Sequence, residues 1–370
     1  MTSFDFLIVG AGFAGVTMAE QIATRLNRHV LVVDRRKHIA GNMYDGFNDA
    51  GILVHLYGPH IFHTNNKRVF DYITQYTEWR NYQHRVFAYV DGRFVQFPIN
   101  LNTMQELLGR SFDPEQMNAY FESVRAKDVT VRNSRDVIVS KVGEELYNKF
   151  FKNYTKKQWN RYPDELDASV IARIPVRLNR DDRYFTDVYQ GLPKYGYTRL
   201  FERMVSHPNI HLMLGVDYRE IKGMVPYQKL IYTGPIDEYY DYRFGALPYR
   251  SLRFVHETID QPFYQSVGVV NYPNDYEFTR ITEMKRLTGQ EHSKTTIVYE
   301  YPTDDGDPYY PVPTEESKER YRQYAGLAEQ DDGVLFLGRL GTYKYYNMDQ
   351  VIAQALSVFE KEIVTKYSHS

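Results

Sequence analysis

The stretch that decides the fold is Phe4-Asp5-Phe6-Leu7-Ile8-Val9-Gly10-Ala11-Gly12-Phe13-Ala14-Gly15, an apolar run followed by three glycines at fixed spacing. The apolar run predicts a buried β-strand, and the residues that follow, to about Leu26, predict a helix. A second apolar run at residues 30–33 predicts another strand, which ends at Asp34. Because parallel strands need a crossover connection, the pattern predicts a β-α-β unit.

Each glycine of this segment has a separate role in such a unit. Gly10 permits a tight turn, Gly12 lets the backbone approach a pyrophosphate, and Gly15 lets the helix pack on the strand. Asp34 lies where a ribose-binding carboxylate is expected. The unit therefore predicts a dinucleotide-binding site, with a glycine-rich turn that binds nothing as the alternative. Arg35 or Arg36 could hold the 2′-phosphate of NADP, or form only the solvated exit of the strand.

Composition excludes several classes of protein. The 370 residues include 45 Lys and Arg against 47 Asp and Glu, so no overall field attracts nucleic acid. Cysteine is absent, which excludes disulfides, thiolate metal sites and cysteine nucleophiles. No apolar run is long enough to span a membrane, and we expect a soluble, cytoplasmic protein. The 34 tyrosines could stack on rings and sugars, although an aromatic core explains most of them.

The remainder of the chain changes pattern several times. Asp91-Gly92 lies between two alternating runs and predicts a β-hairpin. Residues 102–151 predict a helical insertion, and residues 160–190, which are irregular and contain prolines, predict a mobile loop. Three further strands, at residues 228–232, 265–271 and 295–301, predict a mixed or antiparallel sheet.

The C-terminal segment repeats a strand-turn-helix order. Residues 333–339 predict a strand, and a helix is expected from about residue 348 to residue 364. We therefore expect this segment to complete the nucleotide-binding domain. The predicted fold class is α/β, a Rossmann-like dinucleotide-binding domain with a helical insertion domain and a mixed or antiparallel sheet domain.

Few residues outside the glycine motif suggest chemistry by spacing alone. His55, His60 and His63 are not accompanied by carboxylates at metal-ligand spacing, so we predict no metal site. No G-x-S-x-G or P-loop motif is present. Arg173 and Arg280 lie within apolar or aromatic segments, and a guanidinium suits a diphosphate, although spacing alone favours a surface charge over a ligand at each position.

Several longer motifs together closely resemble bacterial UDP-galactopyranose mutase, and the resemblance covers essentially the whole chain. Besides the glycine segment, Asp34-Arg35-Arg36 and Gly41-Asn42, they are His55-Leu56-Tyr57-Gly58-Pro59-His60-Ile61-Phe62-His63-Thr64, Tyr154-Thr155-Lys156-Lys157-Gln158-Trp159 and Gly338-Arg339-Leu340-Gly341-Thr342-Tyr343-Lys344-Tyr345-Tyr346-Asn347-Met348-Asp349. The resemblance implies FAD, active when reduced, and interconversion of UDP-galactopyranose and UDP-galactofuranose. In that mechanism the flavin N5 forms a covalent adduct with the anomeric carbon, without net redox change.

The resemblance also implies roles for individual residues. The implied catalytic residues are Arg173, Arg280 and His63, with both arginines on the diphosphate. The implied substrate-binding residues are Phe150, Phe151, Tyr154, Thr155, Trp159, Tyr184, Phe185, Asn271, Tyr310 and Tyr345. The implied FAD-binding residues are Gly10, Gly12, Phe13, Ala14, Gly15, Asp34, Arg35, Gly41, Asn42, Tyr57, Gly58, His60, Ile61, Gly338, Arg339, Asn347, Met348 and Asp349.

The same resemblance divides the chain. The implied segments are the FAD-binding domain at 1–80, 206–240 and 321–370, a sheet-domain hairpin at 81–100, a helical substrate domain at 101–165, a mobile loop with sheet-domain strands at 166–205, and an antiparallel sheet domain at 241–320. A loop that carries Arg173 would close over the substrate, and the family's homodimer is expected.

Two positions depart from the family pattern. Asp34 stands where many bacterial relatives have Glu, and Ala40 stands where they have Gly; both changes concern FAD affinity. The main competing function is an FAD-dependent oxidoreductase of the amine oxidase or hydroxylase type. A nucleotide-binding sensor without activity comes second, and an NAD(P)-dependent dehydrogenase comes third.

Overall fold

The computed structural model describes residues 3–127, 129–172 and 174–367. Its strands are β1 (Phe4–Val9), β2 (Val30–Asp34), β3 (Asp45–Phe47), β4 (Leu53–His55), β5 (Phe62–Thr64), β6 (Trp79–Asn81), β7 (Val86–Val90), β8 (Arg93–Phe97), β9 (Tyr189–Pro193), β10 (Ile210–Leu214), β11 (Tyr227–Tyr232), β12 (Tyr249–Ile259), β13 (Val269–Asn271), β14 (Arg280–Glu283), β15 (Thr295–Thr303), β16 (Tyr310–Pro311) and β17 (Val334–Phe336).

Its α-helices are α1 (Phe13–Leu26), α2 (Lys67–Thr74), α3 (Leu101–Leu108), α4 (Pro114–Val124), α5 (Ser134–Leu146), α6 (Asn153–Trp159), α7 (Ser169–Ala172), α8 (Tyr197–Met204), α9 (Tyr218–Ile221), α10 (Ile236–Tyr239), α11 (Met284–Thr288), α12 (Glu315–Gln330), α13 (Gly338–Gly341), α14 (Met348–Val358) and α15 (Thr365–Tyr367). Short 3₁₀ turns lie at Gly41–Met43 and Pro163–Glu165, and π-helical turns at Tyr147–Lys152 and Phe359–Val364.

A parallel sheet with the strand order β10-β2-β1-β11-β17 forms the nucleotide-binding part. β1 pairs in parallel with β2 and α1 is the crossover between them, so the predicted β-α-β unit is confirmed. The expected return of the C-terminal segment is also confirmed. β17 pairs in parallel with β11, and apolar residues of α14, including Ile352 and Ala355, share one core with Val16 and Ala19 of α1.

The strand pattern and the resemblance predicted different places for residues 228–232. The pattern grouped them with the mixed sheet, whereas the resemblance assigned residues 206–240 to the FAD-binding domain; β11 pairs in parallel with β1 and β17. Its Leu230, Ile231 and Tyr232 are all buried, as is typical of an interior strand of a parallel sheet that is covered on both faces. The hydrophobic pattern predicts the strand but does not specify its partners.

The predicted mixed sheet is confirmed, with seven strands in the order β16-β12-β15-β14-β13-β7-β8. The predicted hairpin joins β7 to β8, and Asp91 and Gly92 both have positive φ, as this turn requires. β13 begins at Val269, later than predicted. The chain bends before it because the carboxylate of Glu283 accepts the N–H groups of Tyr264 and Gln265, each at 2.9 Å.

The predicted helical insertion is confirmed as α3 to α6, between β8 and β9. Its apolar side chains, such as Met104, Phe121 and Val142, form one core with Val95 and Phe97 of β8. Residues 160–190 contain only short elements, and their mobility stays a prediction, as do the domain boundaries. Of the helices in the described ranges, none combines the length and the apolar character that crossing a membrane requires.

The contact of α1 with β1 depends on Gly15. A Cβ atom at this position would lie 2.0 Å from the carbonyl oxygen of Gly10, so Gly15→Ala must push the helix away from the turn. We expect this change to lower the free energy of unfolding by about 1–3 kcal/mol. Thermal unfolding followed by circular dichroism measures the loss.

Gly326→Ala is the matched control. A Cβ atom there meets nothing within 4 Å, and the residue lies inside α12. Since alanine favours a helix interior, this variant should be more stable by up to about 1 kcal/mol. Equal stability of Gly15→Ala and wild type would contradict the proposed contact.

Candidate active site

An elongated cleft runs along the carboxyl edge of the parallel sheet, where ligands bind in open α/β folds. Each of four strands supplies wall residues where it ends. The wall consists of Gly10 and Gly12 after β1, Asp34, Arg35 and Arg36 at the end of β2, Val216, Asp217 and Tyr218 after β10, and Thr233, Gly234 and Pro235 after β11. The lining also includes His60, Gly338, Arg339 and Met348.

The middle of the cleft is an exposed helix N-terminus between facing glycines. The N-cap Gly12 has no side chain to accept the first N–H groups of α1, and the first turn carries no acidic residue. A Cβ on Gly41 would lie 3.1 Å from the Cα of Gly12, and Gly10 has φ 106° with its Cβ position 2.0 Å from Thr233 Oγ1. Free N–H groups and bare backbone make this a site for phosphate.

The predicted carboxylate and the basic residues after β2 are held in place. Asp34 accepts N–H groups of Ala11 and Arg36, both at 2.8 Å. The guanidinium groups of Arg35 and Arg36 pair with Asp307 at 2.8 and 2.9 Å. Both arginines are thus engaged by a carboxylate, which disfavours a 2′-phosphate site here.

Ala40, one of the two departures from the family pattern, is buried with φ 73°. Its N–H donates to the carbonyl of Ala11 at 2.9 Å, which holds it against the glycine turn. Left-handed backbone costs a residue with a side chain about 1–2 kcal/mol. The surrounding packing therefore imposes a conformation that glycine would adopt without that cost.

Two further lining residues, His60 and Arg339, are held by contacts with backbone carbonyls. The imidazole of His60 contacts the carbonyl of Gly58 at 2.9 Å through Nδ1, and burial lowers its pKa, with His55 adding to the effect. His60 is therefore neutral near pH 7. Arg339 donates to the carbonyls of Tyr309 and Tyr346 at 3.0 and 2.6 Å.

Arg339 also connects the cleft to a group of predicted substrate residues. Its guanidinium lies 5.3 Å from the ring centre of Tyr310 and 5.4 Å from that of Tyr345. Both rings pack against Trp159, with centroids 6.1 and 5.7 Å away. Tyr154 lies within electrostatic range of Tyr345 and Arg280. The structure therefore brings these residues together beside the cleft.

Arg280 lies on the other side of this aromatic cluster. Its Nε is 3.2 Å from Glu300 Oε1, and burial raises the pKa of that carboxyl while Arg280 opposes the shift. Burial works against the charge of Arg280, but Glu300 and neighbouring tyrosines outweigh it and raise its pKa. Although Arg280 Nε is ion-paired with Glu300, it makes no hydrogen bond within the described residues, and neither does the buried Oδ1 of its strand neighbour Asn271. Such orphaned groups indicate a place for a ligand.

His63 lies in a second aromatic contact. Its ring stacks on Phe185 with centroids 3.7 Å apart, and Phe185 packs edge-on against Tyr184. Nδ1 of His63 lies 3.0 Å from Asp187 Oδ2. Asp187 was not predicted as a site residue. A carboxylate two residues after the predicted Phe185 was the feature of the sequence that could have indicated it.

Other predicted residues lie behind the walls. Phe150 and Phe151 are buried in the helical core, with rings 5.9 and 6.0 Å from Phe97. Asp349 accepts a hydrogen bond from Thr64 at 2.8 Å, while its buried Oδ1 has no partner in the described part of the chain. Thr155 is buried on α6. Predicted cofactor residues outside the cleft lining are Gly15, Tyr57, Gly58, Ile61, Asn347 and Asp349, whereas Phe13, Ala14, Gly41 and Asn42 line it.

Arg173 lies outside the described residues, so its role stays a prediction. Several lining residues were not predicted, namely Val9, Val33, Met43, Val216, Asp217, Tyr218, Tyr232, Thr233, Gly234, Pro235, Glu238, Pro308, Tyr309, Leu340 and Val351. The lining residues after β11 follow a predicted strand, and those after β10 follow a strand that was not predicted. The strand order of the parallel sheet is what places both groups at its carboxyl edge. Across 3–127, 129–172 and 174–367, no three His, Cys, Asp or Glu side chains form a metal-binding group.

Buried histidines near the site predict a pH-dependent stability. Burial lowers the pKa of His84 to about 3, and Arg280 adds to the effect. Below about pH 6.5 the unfolded chain therefore binds more protons than the folded one, so this contribution to stability is present above that pH and is lost as the pH falls. Between about pH 7 and pH 5 the loss from His84 should be about 2 kcal/mol.

Denaturant unfolding of His84→Gln at pH 7 and at pH 5 measures the contribution of His84 to the pH dependence of stability. The variant should lose less stability on acidification than wild type does. His29→Gln, at an exposed position, is the control and should follow the wild-type pH dependence. An unchanged pH dependence in His84→Gln would contradict a neutral, buried His84.

Comparisons with known proteins identify the family of this chain. A family model described as UDP-galactopyranose mutase matches residues 149–345, and one described as an NAD(P)-binding Rossmann-like domain matches residues 8–76. A solved structure of reduced UDP-galactopyranose mutase superimposes with a TM-score of 0.79 over 100% of this chain and 96% of that chain. At 15% identity, that match shows the fold alone.

Two curated relatives are similar over nearly their whole length. The probable UDP-galactopyranose mutase of Klebsiella pneumoniae is 40% identical over 98% of this chain and 95% of its own. The dTDP-fucopyranose mutase of Escherichia coli is 37% identical over 95% of this chain and 96% of its own. The resemblance seen in the motifs is thereby confirmed, and the chain belongs to the UDP-galactopyranose mutase family.

Proposed function

We propose that the protein binds FAD in the cleft and interconverts UDP-galactopyranose and UDP-galactofuranose. The observation that carries the proposal is the shared wall at Arg339, which faces the cleft on one side and Tyr310 and Tyr345 on the other. A reaction between a cofactor and a sugar needs their sites to adjoin in this way. Relatives named as mutases of two nucleotide sugars support the assignment.

The residues of the cleft fit a flavin dinucleotide. Asp34 suits the adenosine ribose, the N-terminus of α1 with Gly12 and Gly41 suits the pyrophosphate, and Met348 and His60 lie at the end where the ring system would bind. The unpartnered Oδ1 of Asp349 offers an acceptor beside that end. Arg339 would supply positive charge, which favours a reduced, anionic flavin.

The chemistry that reduced FAD would supply is attack by N5 on the anomeric carbon, giving a covalent adduct and no net oxidation or reduction. The protein's own part is to bind and neutralise the departing diphosphate. Nε of Arg280 is buried and makes no hydrogen bond within the described residues, and Glu300, 3.2 Å from it, maintains the charge of the guanidinium. Arg173 would add a second guanidinium when its loop closes. Electrostatic stabilisation of a leaving group is strongest in such a desolvated site.

The aromatic cluster would hold the sugar and exclude water. Trp159, Tyr310 and Tyr345 pack with one another in tilted and edge-on contacts beside Arg339. Tyr184 and Phe185, with the stacked His63, form a second aromatic group. Because Nδ1 of the neutral His60 donates to the carbonyl of Gly58, its Nε2 is left as a hydrogen-bond acceptor that adds no charge to the cleft. The homodimer expected from the resemblance stays a prediction.

Conversion of UDP-galactofuranose to UDP-galactopyranose by the purified protein tests the proposal. We expect a bound flavin, conversion only after reduction with dithionite, and no stoichiometric consumption of reductant. The oxidised enzyme is the control. A parallel assay with dTDP-fucofuranose distinguishes the two sugar nucleotides named for the relatives. A flavin-loaded, reduced protein that converts neither would contradict a mutase function.

Replacing the proposed diphosphate ligand should separate catalysis from cofactor binding. Arg280→Ala should lower kcat by at least about 100-fold, because one electrostatic donor to the developing charge is lost. The ratio of flavin to protein should stay at the wild-type value, and Arg173→Ala should behave alike. Arg253→Ala, at an exposed arginine that stacks on Tyr301, is the matched control and should keep its activity. Loss of flavin from Arg280→Ala would mean that this arginine serves the cofactor.

A further inference from the structure

Two adjacent lysines of α6 make different contacts. The ammonium group of Lys156 donates to the carbonyl of Asn160 at 3.1 Å, so it stays on its own helix end. The ammonium group of Lys157 instead reaches a separate segment. It lies 2.5, 3.0, 3.1 and 3.2 Å from the carbonyl oxygens of Tyr272, Asp275, Tyr276 and Phe278.

All four carbonyls belong to the loop that joins β13 to β14. The loop is closed by a hydrogen bond from the N–H of Tyr272 to the carbonyl of Thr279 at 2.8 Å. No carboxylate is among the hydrogen-bond partners of Lys157 within the described chain; the charge is compensated by backbone dipoles. Because four carbonyl oxygens of one loop point towards the same ammonium group, that group stabilises the conformation of the loop.

The loop connects two residues that face the proposed substrate site. Asn271 is the last residue of β13 and Arg280 is the first of β14, and the two are strand partners. Helix α6 carries Tyr154 and Trp159 on the same site. The Lys157 side chain therefore ties the helix on one side of the site to the hairpin on the other.

The helix end is held independently of this side chain. Arg250, a buried residue of β12, donates to the backbone carbonyls of Gln158 and Lys157 at 3.0 and 3.1 Å. It also pairs with Asp304. Since β13 and β14 are also paired with β7 and β15, removing the Lys157 ammonium should release the loop between them while α6 stays in place.

We propose that Lys157 is a positioning residue, which sets the place of Arg280 relative to α6 by holding the β13–β14 hairpin. The inference rests on the proposed function, because it takes Arg280 as a ligand of the diphosphate. Nε of Arg280 faces Glu300 Oε1 at 3.2 Å without hydrogen-bond geometry, and Arg280 directly follows the loop that Lys157 binds, so its position depends on that loop. A small shift of the hairpin would move the guanidinium away from its phosphate.

The test compares Lys157→Met with Lys156→Met, and measures both turnover and the binding of UDP by equilibrium dialysis. Lys157→Met should weaken UDP binding by about tenfold, raise KM and lower kcat, while it retains flavin. Lys156→Met should match wild type in all four. Equal values for the two variants would overturn the inference.

A double-mutant cycle distinguishes positioning from a general loss of structure. If Lys157 acts through Arg280, Lys157→Met should weaken UDP binding by less than about twofold in an Arg280→Ala background. The same loss in both backgrounds would mean that the lysine acts elsewhere. If the wild type binds UDP but converts no sugar nucleotide, the proposed function fails and the binding cycle still decides the role of Lys157.

A conservative variant covers the case in which Lys157→Met does not fold. Burial lowers the pKa of Lys157 to about 8, with Asp275 on the loop opposing the shift, while Arg250 contacts the backbone carbonyl of Lys157. Lys157→Arg stays charged at higher pH. It should restore UDP binding and extend it to more alkaline pH than the wild type reaches. If the alkaline limit of UDP binding were the same in Lys157→Arg and in wild type, the proposed role of the Lys157 ammonium group would be contradicted.

Discussion

The architecture depends on the parallel hydrogen bonding of β1 to β2 on one side and to β11 on the other. Parallel neighbours cannot be joined by a tight turn, so the chain must leave the sheet after each strand and return to its opposite end. Between β2 and β10 it builds the helical insertion and the β7–β8 hairpin, and between β11 and β17 it builds most of the mixed sheet. Both excursions begin at the carboxyl edge, which places their residues over the cleft.

The positively charged side chains near the site are compensated by two kinds of partner, carboxylates and backbone carbonyls. Arg280 has the carboxylate of Glu300, whereas Arg339 and Lys157 are compensated by backbone carbonyls. A carbonyl dipole stabilises a cation without cancelling its charge. Arg339 can therefore remain an electrostatic feature of both the cofactor cleft and the aromatic cluster. Arg35 and Arg36, in contrast, share the one carboxylate of Asp307, which offsets part of their charge where β2 ends.

Much of the fold follows from local signals in the sequence. The glycine segment, the turn at Asp91-Gly92 and the helical spacing of residues 102–151 predicted elements that the structure contains. The error at residues 228–232 has a physical cause, because an apolar run shows burial and not which strands lie beside it. Asp187 and the residues after β10 were missed for the same reason. Their meaning depends on neighbours that are distant in the chain.

The sequence by itself determined the β-α-β unit, its dinucleotide fingerprint and the family, because these reside in contiguous motifs whose spacing is set by backbone geometry. Only the tertiary structure decided that Arg339 joins the cleft to the aromatic cluster and that Glu300 lies against Arg280. It also decided that Lys157, and not the adjacent Lys156, reaches the hairpin. Such contacts are set by the pairing and register of distant strands, which bring together residues that no local pattern relates.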